Sequence, residues 1–98
     1  MDGTYLIRLR GELDMSSVET VAAALKRAEE TPASRILLDV DNLRFIDSSG
    51  LQVILRAKRR DDTLGRRLRI THGTGHVADM FRLTALDMTL PFAENQDR

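Results

Sequence analysis

From residue 5 to residue 13 the chain alternates: in YLIRLRGEL the apolar Leu6, Ile7 and Leu9 are interleaved with Arg8 and Arg10. That is the period of a strand with one covered face and one wet face, and it belongs at a sheet edge or on an open face. Asp14 ends it. Ser16 followed three residues later by Glu19 has the form of a capping box, in which hydroxyl and carboxylate each satisfy a free N–H, so a helix is expected to start there. Val18, Val21, Ala22 and Leu25 then recur at helical spacing as one apolar stripe, with Glu19, Lys26, Arg27, Glu29 and Glu30 on the other faces, until Thr31 and Pro32 close the helix.

RILLDV, at 35–40, is a near-continuous apolar run, as an inner strand with both faces covered requires, and it marks the centre of the sheet. Asp41 and Asn42 read as a turn. LRFI then leads into Asp47, Ser48, Ser49 and Gly50, and Leu51, Ile54 and Leu55 share one helical face, so the DSSG tetrapeptide stands at a helix N-terminus. This helix is expected to end in the basic run Arg56, Lys58, Arg59 and Arg60, which complements the dipole, and to break near Asp61, Asp62 and Gly65. LRI at 68–70 reads as a strand. After the loop HGTG, a third helix carries Val77, Met80 and Phe81, a last short strand is expected at 88–92, and the polar tail 94–98 is expected to fray. Strands alternating with helices at this spacing predict an α/β fold: a mixed, mostly parallel sheet of four or five strands, helices packed on it, and right-handed crossovers. No repeat or linker divides the chain, so residues 1–98 read as one domain.

Composition narrows what such a domain does. Ninety-eight residues suffice to bury roughly 65% of the unfolded surface, so a core forms without staples. Fifteen basic residues against fifteen acidic ones remove the positive surplus on which nonspecific nucleic-acid binding rests. With no Cys and only His72 and His76, there is no disulfide framework and a poor basis for zinc, so no metal or cofactor is expected. No apolar run approaches the roughly 20 residues that span a bilayer, and MDGTYLIRLRGELD does not read as a signal peptide, which points to the cytoplasm.

The chemistry-bearing candidates are few. Ser48 or Ser49 can serve simply as a helix cap. Ser48 and His72 both follow expected strands and could meet at the carboxyl ends of a parallel sheet, but the nucleophile pattern G-x-S-x-G is absent around Ser48, which weighs against a serine hydrolase. Gly73, Thr74 and Gly75 make only a fragment of a phosphate-cradling loop. Arg56, Lys58, Arg59, Arg60, Arg66, Arg67 and Arg69 form a basic cluster with no interleaved aromatic for base stacking, and read as a solvated helix end and turn. Gly50 has two readings: a backbone requirement at the helix start, or room for a partner to approach the serine.

GELD at 11–14, LLDVDNLRFIDSSGLQVIL at 37–55 and VADMFRLTAL at 77–86 together resemble the STAS domain, and most closely the bacterial anti-sigma factor antagonists, in matching order over nearly the whole chain. The resemblance implies a single STAS-like domain with no catalytic activity and a switch on one serine, here Ser48. In that family the partner is both anti-sigma factor and ATP-dependent serine kinase, and a metal-dependent phosphatase reverses the modification. The unphosphorylated form binds the kinase and frees the sigma factor, with no contact to nucleic acid and no membrane insertion. By the same resemblance, Asp14, Asp47, Ser48, Ser49, Gly50 and Leu51 lie in or beside the partner surface. The alternative is a stand-alone STAS regulatory subunit of a membrane transporter. Two features depart from the family pattern: many members carry an additional strand before the strand that ends in GELD and a further helix after the last strand, and HGTGH stands where a Pro-containing connection is common. An uncovered edge strand would leave backbone donors for self-association, so a homodimer stays open.

Overall fold

A computed structural model describes residues 3–93. Along the chain run β1 (Thr4–Leu13), α1 (Val18–Glu29), β2 (Arg35–Ile46), α2 (Ser48–Leu64), β3 (Leu68–Ile70), α3 (Gly75–Leu83) and a 3-10 turn at Leu86–Met88. The strands form one parallel sheet in the order β1-β2-β3, with β2 central and β1 at an edge, as their patterns require. Tyr5, Ile36 and Leu68 line up across the strands, as do Ile7, Leu38 and Ile70, and these rows turn toward the core. The intervening row, Leu6, Leu37 and Arg69, lies on the opposite face, where Leu6 is 47% exposed and Arg8 pairs with Asp39 at 3.1 Å. None of the described helices is long and apolar enough to cross a membrane.

The α/β class and parallel sheet stand, but the described sheet has three strands where four or five were expected. The strand anticipated at 88–92 contracts to a single bridge between Ile70 and Phe92. Its cause is local. Met88, Thr89 and Leu90 N–H groups donate back to Ala85 and Leu86 carbonyls, and Pro91 has no N–H to give, so few donors are left for a ladder. The tail expectation at 94–98 lies outside the described residues.

Three other expectations change. Asp41 and Asn42 do not turn the chain: β2 runs through them, its 12 residues facing the 10 of β1 by means of two bulges. Groups far away in sequence satisfy the first bulge, since Val40 N–H donates to Thr71 Oγ1 at 2.8 Å and Gly73 N–H to Asp41 Oδ1 at 3.1 Å. No capping box forms at Ser16 and Glu19. Instead Asp14 Oδ1 accepts the Ser16 hydroxyl at 2.6 Å and its N–H at 2.9 Å, a turn that keeps Ser16 outside the helix and leaves Ser17 at the cap position.

The basic cluster is not uniformly solvated either. α2 passes its basic run and continues through Asp61 and Asp62 to Leu64, capped by Gly65 at φ 122°. Arg60 forms a two-pronged pair with Glu29 of α1, its shortest bond 2.9 Å. Arg67 donates to the carbonyls of Glu29, Thr31 and Ala33 at 2.8, 2.9 and 2.6 Å, supplying partners for carbonyls at and beyond the end of α1. These two arginines fasten α1 to α2 and β3, and so hold the frame from which the start of α2 projects.

Candidate functional site: the β2–α2 junction

β2 ends at Ile46 and α2 begins two residues later. Asp47 is extended, with φ −111° and ψ −173°, and its Oδ1 accepts the Gly50 N–H at 3.0 Å and the Ser49 hydroxyl at 2.6 Å. The cap is therefore Asp47, not either serine, which removes the capping account of Ser48. Ser49 is spent on Asp47. Ser48, in the first helical position, is exposed, and its hydroxyl has no hydrogen-bond partner among the described residues.

Asp47 N–H donates to Leu13 C=O at 3.2 Å, which brings the end of GELD beside DSSG and sets Asp14 next to the junction. Gly50 is buried there. A Cβ on it would lie 2.7 Å from Ile46 Cγ1 and 2.8 Å from both Leu13 Cγ and Leu13 O, so the inward-facing, backbone-driven reading of this glycine accounts for it. Leu51, only 7% exposed, is mainly a core residue.

Two depressions flank the helix start. Ser48 opens onto one of about 210 Å³, bounded by Leu51, Gln52, Leu55, Thr84 and Leu86. Ser49 lies at the other, about 270 Å³, between α1 and α2, where Val18, Ala22 and Val53 face Gln52, Glu19 and Arg56. Gln52 is one helical turn beyond Ser48 and its place here follows from spacing. Thr84 and Leu86 reach the site only through the tertiary fold, and no local pattern marks them.

The hydroxyl of Ser49 and then the N–H of Gly50 hold the Asp47 carboxyl below the usual carboxylate range. Asp39 is also lowered: burial alone would raise it, but the Asp41 N–H and the Arg8 guanidinium together outweigh that. Each group binds its proton less readily folded than unfolded, so its contribution is fully present above the unfolded pKa and is lost as pH falls through the folded one. Urea midpoints should accordingly fall below about pH 4. Asp47→Asn, which keeps a capping oxygen, should flatten that slope; an unchanged slope would remove Asp47 from the account.

Ser48 and His72 do not meet as a nucleophile and base. His72 Nε2 donates to Ala93 C=O at 3.2 Å and its ring stacks on Phe92, while His76 Nε2 donates to Ile46 C=O at 3.0 Å. Neither histidine is hydrogen-bonded to Ser48.

Known proteins are similar to this chain in sequence and fold. The family model described as "Mlab, STAS domain" matches residues 2–91. An anti-sigma F factor antagonist of Paenibacillus polymyxa is 28% identical over 95 residues, covering 96% of this chain and 81% of that one. Among solved structures, the anti-sigma factor antagonist SpoIIAA in its unphosphorylated form superposes with a TM-score of 0.76 at 27% identity, over 96% of this chain and 83% of that one. A sulfate transporter family protein from Wolinella succinogenes shares the fold, with a TM-score of 0.72 at 15% identity, over 89% of this chain and 70% of that one. With the match covering residues 2–91, from before β1 to beyond the 3-10 turn, the chain belongs to the STAS domain family.

Proposed function

We propose that this chain is an anti-sigma factor antagonist switched at Ser48. Unmodified, it binds an anti-sigma factor that is also a serine kinase, and so releases the sigma factor. The kinase transfers the γ-phosphoryl group of ATP to Ser48 Oγ, the hydroxyl proton is lost, ADP leaves, and the complex dissociates. A metal-dependent phosphatase returns the serine by hydrolysis. The observation that carries this reading is the free, exposed hydroxyl of Ser48 beside a cap that Asp47 alone provides.

The physical consequences of a phosphate there support a switch of interface, not of fold. It adds about −1.5 to −2 charges. At a helix N-terminus both the dipole and free N–H groups favour it, and because Ser48 takes no part in the cap, α2 loses no bond. The same charge stands beside the Asp47 carboxylate and close to Asp14, whose described hydrogen-bond partners are serines and backbone N–H groups, not cations. Like charge concentrated against a partner that accepted the unmodified surface costs several kcal/mol, enough to empty a micromolar complex.

The test is capture from the source lysate by wild-type protein, Ser48→Ala and Ser48→Asp. An ATP-binding serine kinase held by wild type and by Ser48→Ala, and lost with Ser48→Asp, is the expected result, with ATP-dependent phosphate on wild type only. Phosphate on Ser48→Ala at wild-type yield would overturn the site. Transporter subunits held equally by all three would replace the reading with that of a transporter subunit.

A further inference from the structure

The motif HGTGH found no use in the switch, and its second histidine reaches the switch directly. We infer that His76 is the positioning residue of the serine loop: it fixes the Ile46–Asp47 peptide from which Asp47 caps α2 and Ser48 is presented. Its importance for partner binding rests on the reading of this loop as the partner surface.

The peptide joining Ile46 to Asp47 is held at both ends. Its N–H donates to Leu13 C=O at 3.2 Å, and its C=O accepts from His76 Nε2 at 3.0 Å. A carbonyl only accepts, so Nε2 carries the proton. The sheet itself offers this carbonyl nothing on that side, because the pairing of β2 with β3 ends at Leu38 and Ile70, well short of Ile46.

The imidazole is itself fixed. It stacks on Phe45 with ring centroids 4.9 Å apart and the planes parallel. It stands in the first turn of α3, and the loop before that helix is tied to the β2 bulge by the Gly73 N–H on Asp41 Oδ1. The side chain thus couples α3 to the residue before the cap, and a shift in either would change where Ser48 points. His76 is exposed, so its removal leaves no cavity in the core.

Three proteins test this: wild type, His76→Ala, and His76→Gln, whose amide N–H can still reach a carbonyl. Native-state hydrogen exchange at Asp47, Gly50 and Leu51 should be about five- to tenfold faster in His76→Ala, the effect of losing one neutral hydrogen bond, and restored in His76→Gln. Exchange at Leu38 and Ile70 should not change. Equal acceleration at all five amides, or none at the first three, would overturn the inference. Affinity for the kinase captured by wild type should fall by a similar factor in His76→Ala and recover in His76→Gln. If the exchange pattern holds but all three bind alike, the link from loop order to binding is overturned, while loss of binding by Ser48→Asp still upholds the switch. If Ser48→Asp binds like wild type, it is the switch that fails, and the exchange result stands apart from it.

Discussion

Gly50→Ala is expected to destabilise the domain by about 1–3 kcal/mol, although alanine is the better helix former by about 1 kcal/mol. The added methyl would meet three atoms closer than 3.0 Å, and one of them is the backbone oxygen of Leu13. Side chains can rotate aside, but that oxygen also accepts the Asp47 N–H, so it cannot retreat without breaking the bond that seats the junction. Relief comes only by lifting the start of α2 off β1 and β2. In a domain of this size, that loss corresponds to a drop in Tm of roughly 5–15 °C. The same displacement carries Ser48 with it, so affinity for the proposed kinase partner should fall by more than the unfolded fraction explains. A midpoint within 2 °C of wild type would show that the neighbours make room, and the close approach would lose its significance.

The contrast between Asp47 and Asp41 shows what local pattern conveys here and what it does not. Both are aspartates at the end of an apolar run. At 47 the following residues have helical spacing, so a helix start was legible, and with it the place of DSSG in the fold. Which side chain caps was not legible, since Asp47, Ser48 and Ser49 are all competent cap formers and only the actual geometry assigns the role. At 41 the same residue type suggested a turn, but the strand continues because groups some thirty residues on hold the bulge: Thr71 Oγ1 accepts the Val40 N–H, and the Gly73 N–H donates to the Asp41 side chain. Arg60 and Arg67 illustrate the same limit. Adjacent to other cations they read as solvated, and their partners at Glu29, Thr31 and Ala33 become visible only when the end of α1 lies against α2 and the turn that leads into β3. His76 belongs with them: a lone histidine in a Gly-rich loop carries no periodic signal, whereas the Ile46 carbonyl it meets is set by where β2 happens to end. Ser48 was legible as a candidate through its neighbours in sequence; the residues that hold it in place are neighbours in space.

Asp61→Ala should be the most damaging substitution far from the serine. Asp61 is 7% exposed, and its two carboxylate oxygens accept the Arg67 N–H at 2.9 Å and the Leu68 N–H at 3.0 Å. Those N–H groups lie where the chain leaves α2 and enters β3, and Leu68 is itself buried. Alanine would leave both donors unsatisfied at about 1–3 kcal/mol each, a large part of the stability of an ordinary domain. Asparagine keeps one acceptor but sets an amide N–H against a backbone N–H, so Asp61→Asn should fall between alanine and wild type. The adjacent Asp62 supplies the control. Its pair with Lys58 at 2.8 Å is a surface pair one helical turn apart, partly open to solvent, and Asp62→Ala should cost no more than about 0.5 kcal/mol. Urea midpoints of the three variants decide the matter, and equal values for Asp61→Ala and Asp62→Ala would refute the assignment. Because Asp61 fixes the far end of α2 while Asp47 and Gly50 fix the near end, a reduced affinity for the proposed kinase partner in Asp61→Ala, measured where the variant is fully folded, would mean that Ser48 is aimed by the whole helix. An affinity equal to wild type would confine that task to the junction itself.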